Sequence, residues 1–128
     1  MKFDPNIPIY RQIADDIRRQ ILTGELPAGS QLKSSTQYAT EERINPATAN
    51  KAFNLLIADG IVEKRRGIGM FVSHDGPHKL REAAQRTYVA QVLTPALEAG
   101  RTLGYTPSTI IQFVQAYFEE ANHAPMES

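Results

Sequence analysis

The sequence predicts a mostly helical chain with one small β-hairpin. The predicted order is helix, short strand, helix, helix, hairpin, and then a tail of two helices. Three observations carry this. Apolar residues recur every three or four positions through residues 8–26, 45–59, 80–104 and 107–121. Two short apolar runs flank the glycine-rich string RRGIG at 65–69, which reads as a hairpin. The composition then changes abruptly at SHDGPHK, residues 73–79, a run of turn formers that predicts a linker. The expected domains are therefore 1–74 and 75–128.

The first helix lies in PIYRQIADDIRRQILTGEL, where Tyr10, Ile13, Ile17 and Ile21 make the apolar stripe. Pro8 stands near its start, and Gly24 ends it. Pro27 and Gly29 then punctuate PAGSQL, a turn that leads into a short extended piece. Ser34 or Ser35 can cap a second helix of about two turns, with Tyr38 and Ala39 as its core contacts. Arg43 and Ile44 form a tight connection to a third helix. Asn45 can cap that helix and Pro46 suits its first position. Ala49, Ala52, Phe53 and Leu56 form its buried stripe, and Ala47, Asn50, Lys51 and Asn54 recur on the opposite side. Gly60 can take the left-handed conformation that closes it. Two helices joined by a tight turn, with a hairpin behind them, make a winged helix-turn-helix.

In the tail, Leu80, Ala84, Tyr88, Val92 and Ala96 lie four apart. Pro95 should kink or split this helix, because it lacks an N–H and clashes with the preceding turn. Thr106 and Pro107 cap and start the last helix. Ile110, Ile111, Phe113, Val114, Tyr117 and Phe118 spread apolar surface over a wide arc, which calls for a partner on more than one side. A homodimer joined through Tyr88, Val92, Ile110, Ile111, Val114, Tyr117 and Phe118 is the expectation.

Composition narrows the function. The 128 residues contain no cysteine, which excludes disulfides, thiol nucleophiles and Cys-based zinc sites. His74 and His78 flank a turn, but two histidines fall short of the about four ligands of a structural metal site. No metal and no cofactor are expected. No Ser/His/Asp order, phosphate loop or carboxylate pair suggests an enzyme. No apolar run approaches the roughly 18 residues of a membrane span, and the N-terminus lacks the apolar core of a signal peptide. A cytoplasmic protein is expected. Net charge is zero, yet residues 1–75 carry ten Lys/Arg against nine Asp/Glu, and Lys64, Arg65 and Arg66 are clustered. Such a local basic tip can meet phosphates.

The outer face of the third helix suits a major groove of double-stranded DNA. Small Ala47 allows close approach, and Asn50 can pair bidentately with adenine. Thr48 and Lys51 can hold phosphates, and free N–H groups at the helix start favour phosphate too. Arg65 and Arg66, on a hairpin whose Gly67 permits close backbone approach, suit the neighbouring minor groove or its phosphates. The alternative is a winged-helix protein-interaction module without specific DNA binding.

Residues 8–72 closely resemble the GntR family of bacterial transcription regulators. The resemblance rests on PIYRQI, on ILTGELPAGSQL, on NPAT at 45–48 and on GIGMFV at 67–72. The short tail looks like the YtrA subfamily. The resemblance implies a homodimer on a palindromic operator, repressing a nearby operon, often one encoding a transporter. It carries DNA contact over to Thr36, Ala47, Thr48, Asn50, Lys51, Arg66 and Gly67, and Lys33, Ser34, Asn45 and Arg65 complete the expected DNA-binding set. Four positions depart from the family pattern. Thr36 replaces a DNA-contacting arginine, Pro46 and Asn50 stand where other members carry one, and Glu42 stands where leucine is common. Fewer arginines imply fewer charge-assisted contacts and a shallower salt dependence. A small-molecule effector is left open. Tyr88, Tyr105, Phe113 and Tyr117 could line a small pocket at a dimer interface or simply pack there, and the tail is expected to be too short for an intrachain pocket of the usual roughly 300 Å³.

Overall fold

The computed structural model describes residues 2–123. Its elements are α1 (Ile9–Leu22), α2 (Ser35–Glu42), α3 (Pro46–Ala58), β1 (Val62–Arg65), β2 (Gly69–Val72), α4 (Gly76–Tyr88), α5 (Thr94–Thr102) and α6 (Pro107–His123), with a π-helical segment at Val89–Leu93 between α4 and α5. Contacts divide the chain into two units, 1–84 and 85–128.

The first unit is a winged helix-turn-helix. Ile13, Ala14, Ile17 and Ile21 of α1 are buried with Ala49, Ala52, Phe53 and Leu56 of α3. These are the stripes predicted from periodicity, and α1 packs on α3 through them. α2 packs on α3 through Tyr38, whose ring lies tilted against Phe53. Ala39 is only half-buried. Ser34 caps α2 reciprocally: its Oγ accepts from the Gln37 N–H at 3.1 Å, and its own N–H donates to Gln37 Oε1 at 2.8 Å. α2 ends on Arg43, which takes the left-handed conformation, φ 55°. α3 ends on Gly60, φ 74°, with Ile61 N–H donating to the Leu56 carbonyl and Gly60 N–H to that of Ile57. That pair of bonds closes a helix on a left-handed glycine.

The wing is an antiparallel hairpin with Val62 opposite Val72 and Arg65 opposite Gly69. The extended piece expected after Pro27 lies along β2. Leu32 N–H donates to the Met70 carbonyl and Val72 N–H to that of Ser30, both at 2.8 Å.

The linker expected over 73–79 is shorter than its composition suggests. α4 already begins at Gly76, and only Ser73–Asp75 connect β2 to it. Ser73 N–H donates to the Ile61 carbonyl, and Gly76 is buried so close to that carbonyl that a Cβ on it would stand 2.5 Å from the oxygen. Leu80 joins the first unit's core. The contacts thus divide inside α4.

In the second unit, Pro95 does not break the helix: the backbone stays helical from Tyr88 through a π-helical segment, Val89–Leu93, to Thr94, and α5 holds the proline in its first turn. Gly104, φ 90°, ends α5. Thr106 Oγ1 then accepts from the Thr109 N–H at the start of α6. Gly100 lets the two helices approach, since a Cβ there would stand 2.8 Å from Ile110 Cδ1. Among the described residues after Ala84, Gly100 alone is buried. Tyr88, Val92, Ile111, Val114, Tyr117 and Phe118 are about half exposed or more, and Ile110 is half-buried.

The second unit also corrects one expectation. An open cleft of about 440 Å³ lies between α5 and α6, lined by Leu97, Tyr105, Pro107, Ile110 and Ile111 with Glu98 and Arg101. A tail this short thus forms a cleft of ligand size after all. Tyr105 belongs to its lining and Tyr88, Phe113 and Tyr117 do not.

Candidate nucleic-acid interface

The helix-turn-helix is α2, the Arg43–Asn45 turn and α3. Asn45 Oδ1 accepts from the Ala47 N–H at 2.9 Å, as the cap predicts. This cap has a consequence that the sequence reading missed. Pro46 has no N–H, and the N–H groups of Thr48 and Ala49 both donate to the Asn45 carbonyl. The first turn of α3 therefore keeps no free backbone donor, so that any phosphate contact there would fall to side chains.

Ala47 and Asn50 are exposed, and the Asn50 side-chain amide has no hydrogen-bond partner among the described residues. Its amide is free to read a base edge. Thr48 is half-buried beside them. Lys51 Nζ lies 4.1 Å from the centroid of the Tyr10 ring.

On α2, Thr36 is exposed. The Ser34 hydroxyl is an acceptor in its cap, which leaves its proton available to a phosphate. Lys33 Nζ is 3.3 Å from Glu41 and 5.6 Å from the Tyr38 ring centroid, so its charge is partly matched within the protein.

At the wing, Arg65 stacks its guanidinium 4.1 Å from the Phe71 ring centroid and pairs with Glu63 at 3.1 Å. Arg66 is exposed and makes no ion pair among the described residues. Gly67 has φ 76° and open space around it, so its conformation and not crowding requires glycine.

Three residues of this surface escaped the sequence reading. Arg43 is exposed in the turn itself. Its only signal in the sequence is that it is the one cation between α2 and α3. Ile68 is 64% exposed at the wing tip. Gln31 Nε2 donates to the Ile68 carbonyl at 3.0 Å and ties that tip to the extended edge. No local pattern reveals that contact, because it joins residues far apart in the chain.

Among the described residues, no three His, Asp or Glu side chains gather as a metal would need. His78 Nε2 instead lies 3.3 Å from Glu82. No described helix is long and apolar enough to cross a membrane.

Residues 9–72, which run from α1 to the end of the wing, match the family of bacterial regulatory proteins called gntR. The chain belongs to the GntR family. Along nearly its full length it is similar to the HTH-type transcriptional regulator YhcF of Bacillus subtilis. The two are 28% identical over 118 residues, which are 92% of this chain and 96% of YhcF. Within the family it is of the YtrA type. It is 34% identical over 84 residues to the transcriptional repressor YtrA of Bacillus subtilis, covering 64% of this chain and 65% of YtrA. A solved GntR family transcriptional regulator from Listeria monocytogenes superposes with a TM-score of 0.66 at 30% identity, over 89% of this chain and 98% of its own. Two longer repressors, MngR of Escherichia coli and NagR of Bacillus subtilis, are matched over only 28% and 39% of their length. This GntR chain is a DNA-binding transcription regulator and not an enzyme. The protein-interaction alternative falls with that membership.

Proposed function

We propose that this GntR protein represses transcription as a homodimer on a palindromic operator. The observation that carries the reading is the outer face of α3, where the unpartnered Asn50 amide stands one turn from exposed Ala47. In this reading α3 enters the major groove with Asn50 on adenine and Ala47 against a thymine methyl. Thr48, Lys51, Ser34, Thr36 and Lys33 hold the flanking phosphates. Asn45 contributes by fixing the helix start. Arg66 reaches the minor groove or its phosphates from the wing, with Gly67 allowing close approach and Arg65 held behind it by Phe71.

The tail, 75–128, supplies the dimer in this reading. Two-fold symmetry would place the recognition helices about 34 Å apart, one turn of DNA. Repression is supported by the similarity to the transcriptional repressor YtrA, and a transporter operon by what the YtrA resemblance implies. The protein would act in the cytoplasm. We assign no effector: the α5–α6 cleft has the volume for one, but its apolar lining adjoins the surface assigned to the dimer.

Fluorescence anisotropy against the DNA upstream of the gene, beside a scrambled duplex, tests this. The expected result is tight binding to the upstream piece alone. Asn50→Ala should relax base preference at one position, at a cost of roughly 1–3 kcal/mol. Arg66→Ala should weaken all sequences alike and reduce the salt slope by about one. Equal losses on every sequence for Asn50→Ala would remove its role as a base reader.

A further inference from the structure

Lys51 is held differently from the other cations assigned to the DNA surface. Lys33 is matched by Glu41, and Arg65 by Glu63. Lys51 has no carboxylate partner among the described residues, and its ammonium sits 4.1 Å over the Tyr10 ring. A ring face attracts the ammonium without cancelling its charge. Tyr10 is itself firmly placed. It lies half-buried against the core in the first turn of α1. Gln12 ties the preceding loop to that turn, donating to the Asp4 and Ile7 carbonyls and accepting from the Asp4 N–H, all at 2.8 Å. The Tyr10 hydroxyl accepts from Arg11 Nε at 3.3 Å.

We infer that Tyr10 is a positioning residue for DNA binding, its ring holding the Lys51 ammonium in place beside α3 while leaving the charge free for a phosphate. The inference rests on the DNA reading above. A lysine stem is flexible, and ordering it on binding costs affinity. A carboxylate could also order it, but that ion pair would have to break when phosphate arrives. An aromatic face avoids this.

The test compares the wild type with Tyr10→Phe, Tyr10→Leu, Lys51→Ala and the Tyr10→Leu/Lys51→Ala double variant. Each binds the upstream duplex and a scrambled duplex at several salt concentrations. Lys51→Ala should weaken both duplexes and lower the salt slope by about one. Tyr10→Leu should weaken both by about 3- to 10-fold with the slope retained, because the charge is still present. Tyr10→Phe should bind as the wild type does. Adding Tyr10→Leu to Lys51→Ala should cost nothing more. In the free wild type and Tyr10→Phe, the Lys51 ε-methylene protons should be shifted upfield by the ring, and Tyr10→Leu should abolish this. A missing shift in the wild type overturns the inference without any variant. So do losses that simply add, or a phenylalanine variant as weak as the leucine one. Wild-type binding to neither duplex sinks the DNA reading and this inference together, whereas full binding by Tyr10→Leu sinks this inference alone.

Discussion

Tyr38 shows how one residue of the core responds to pH. It is 5% exposed. Burial first, then the negative charges of Glu42 and Asp16, push its phenol up to about 12. In the unfolded chain the same phenol loses its proton near 10. The unfolded state is thus the first to ionise as pH rises. The stability that Tyr38 contributes is complete below about pH 10 and is lost as the pH climbs toward about 12. At about 1.4 kcal/mol per pH unit, the loss approaches roughly 2–3 kcal/mol. Urea unfolding of the wild type and Tyr38→Phe at about pH 8 and about pH 11.5 measures it. The phenylalanine variant should lose about 2 kcal/mol less between the two, since every other group is common to both proteins. Equal losses would assign the alkaline sensitivity elsewhere. Single residues of the site were legible to a different depth. Asn45 and Pro46 announce a helix start in the sequence, and the start is there. That the same cap consumes the donors meant for phosphate was not legible, because it depends on where each N–H points.

Elements were legible where their signal is local. The stripes of α1 and α3 and the glycine closing α3 each follow from residues within one or two turns. The start of α4 was not, because it is decided by a contact with a distant segment. Turn formers at 73–79 argue for a loop, yet Gly76 sits against the Ile61 carbonyl and begins a helix. The two kinds of reasoning give opposite signs for one substitution. Helix propensity favours Gly76→Ala by up to about 1 kcal/mol. Sterics oppose it, because a Cβ 2.5 Å from the Ile61 carbonyl oxygen must move either Ile61, just before β1, or α4. Overpacking of this kind costs about 1–3 kcal/mol. The steric effect should win, and chemical denaturation of Gly76→Ala should show a net loss of stability. A gain would mean that α4 can pull away from Ile61 freely, and that the first unit does not depend on this contact. The wing likewise shows the limit of local signals: the hairpin reads from its glycines, whereas the Gln31 tie to Ile68 does not.

At the scale of the whole molecule, the two units differ in how they hold together. The first has a core of fully buried side chains, Phe53, Ile13, Ile17, Leu56 and Val72 among them. The second buries one glycine among its described residues and leaves Tyr117 68% and Phe118 60% exposed. A helical unit of this size with no side-chain core of its own cannot offset the conformational entropy of ordering it. Its stability must come from surface buried against something else, and a second copy of the same apolar face is the occupant that the proposed function requires. Ile111→Glu with Val114→Glu would place two charges on that face without touching the first unit's core. Sedimentation at micromolar concentration should give about twice 14.2 kDa for the wild type and 14.2 kDa for the variant. Circular dichroism should show the variant losing helix, because the tail loses the surface that orders it, while a cooperative unfolding transition from the first unit persists. Affinity for a two-half-site duplex should fall steeply, since each recognition helix then binds alone and the gain from linking two sites disappears. A wild-type monomer that keeps all its helix would contradict both the dimer and the argument that the tail depends on it.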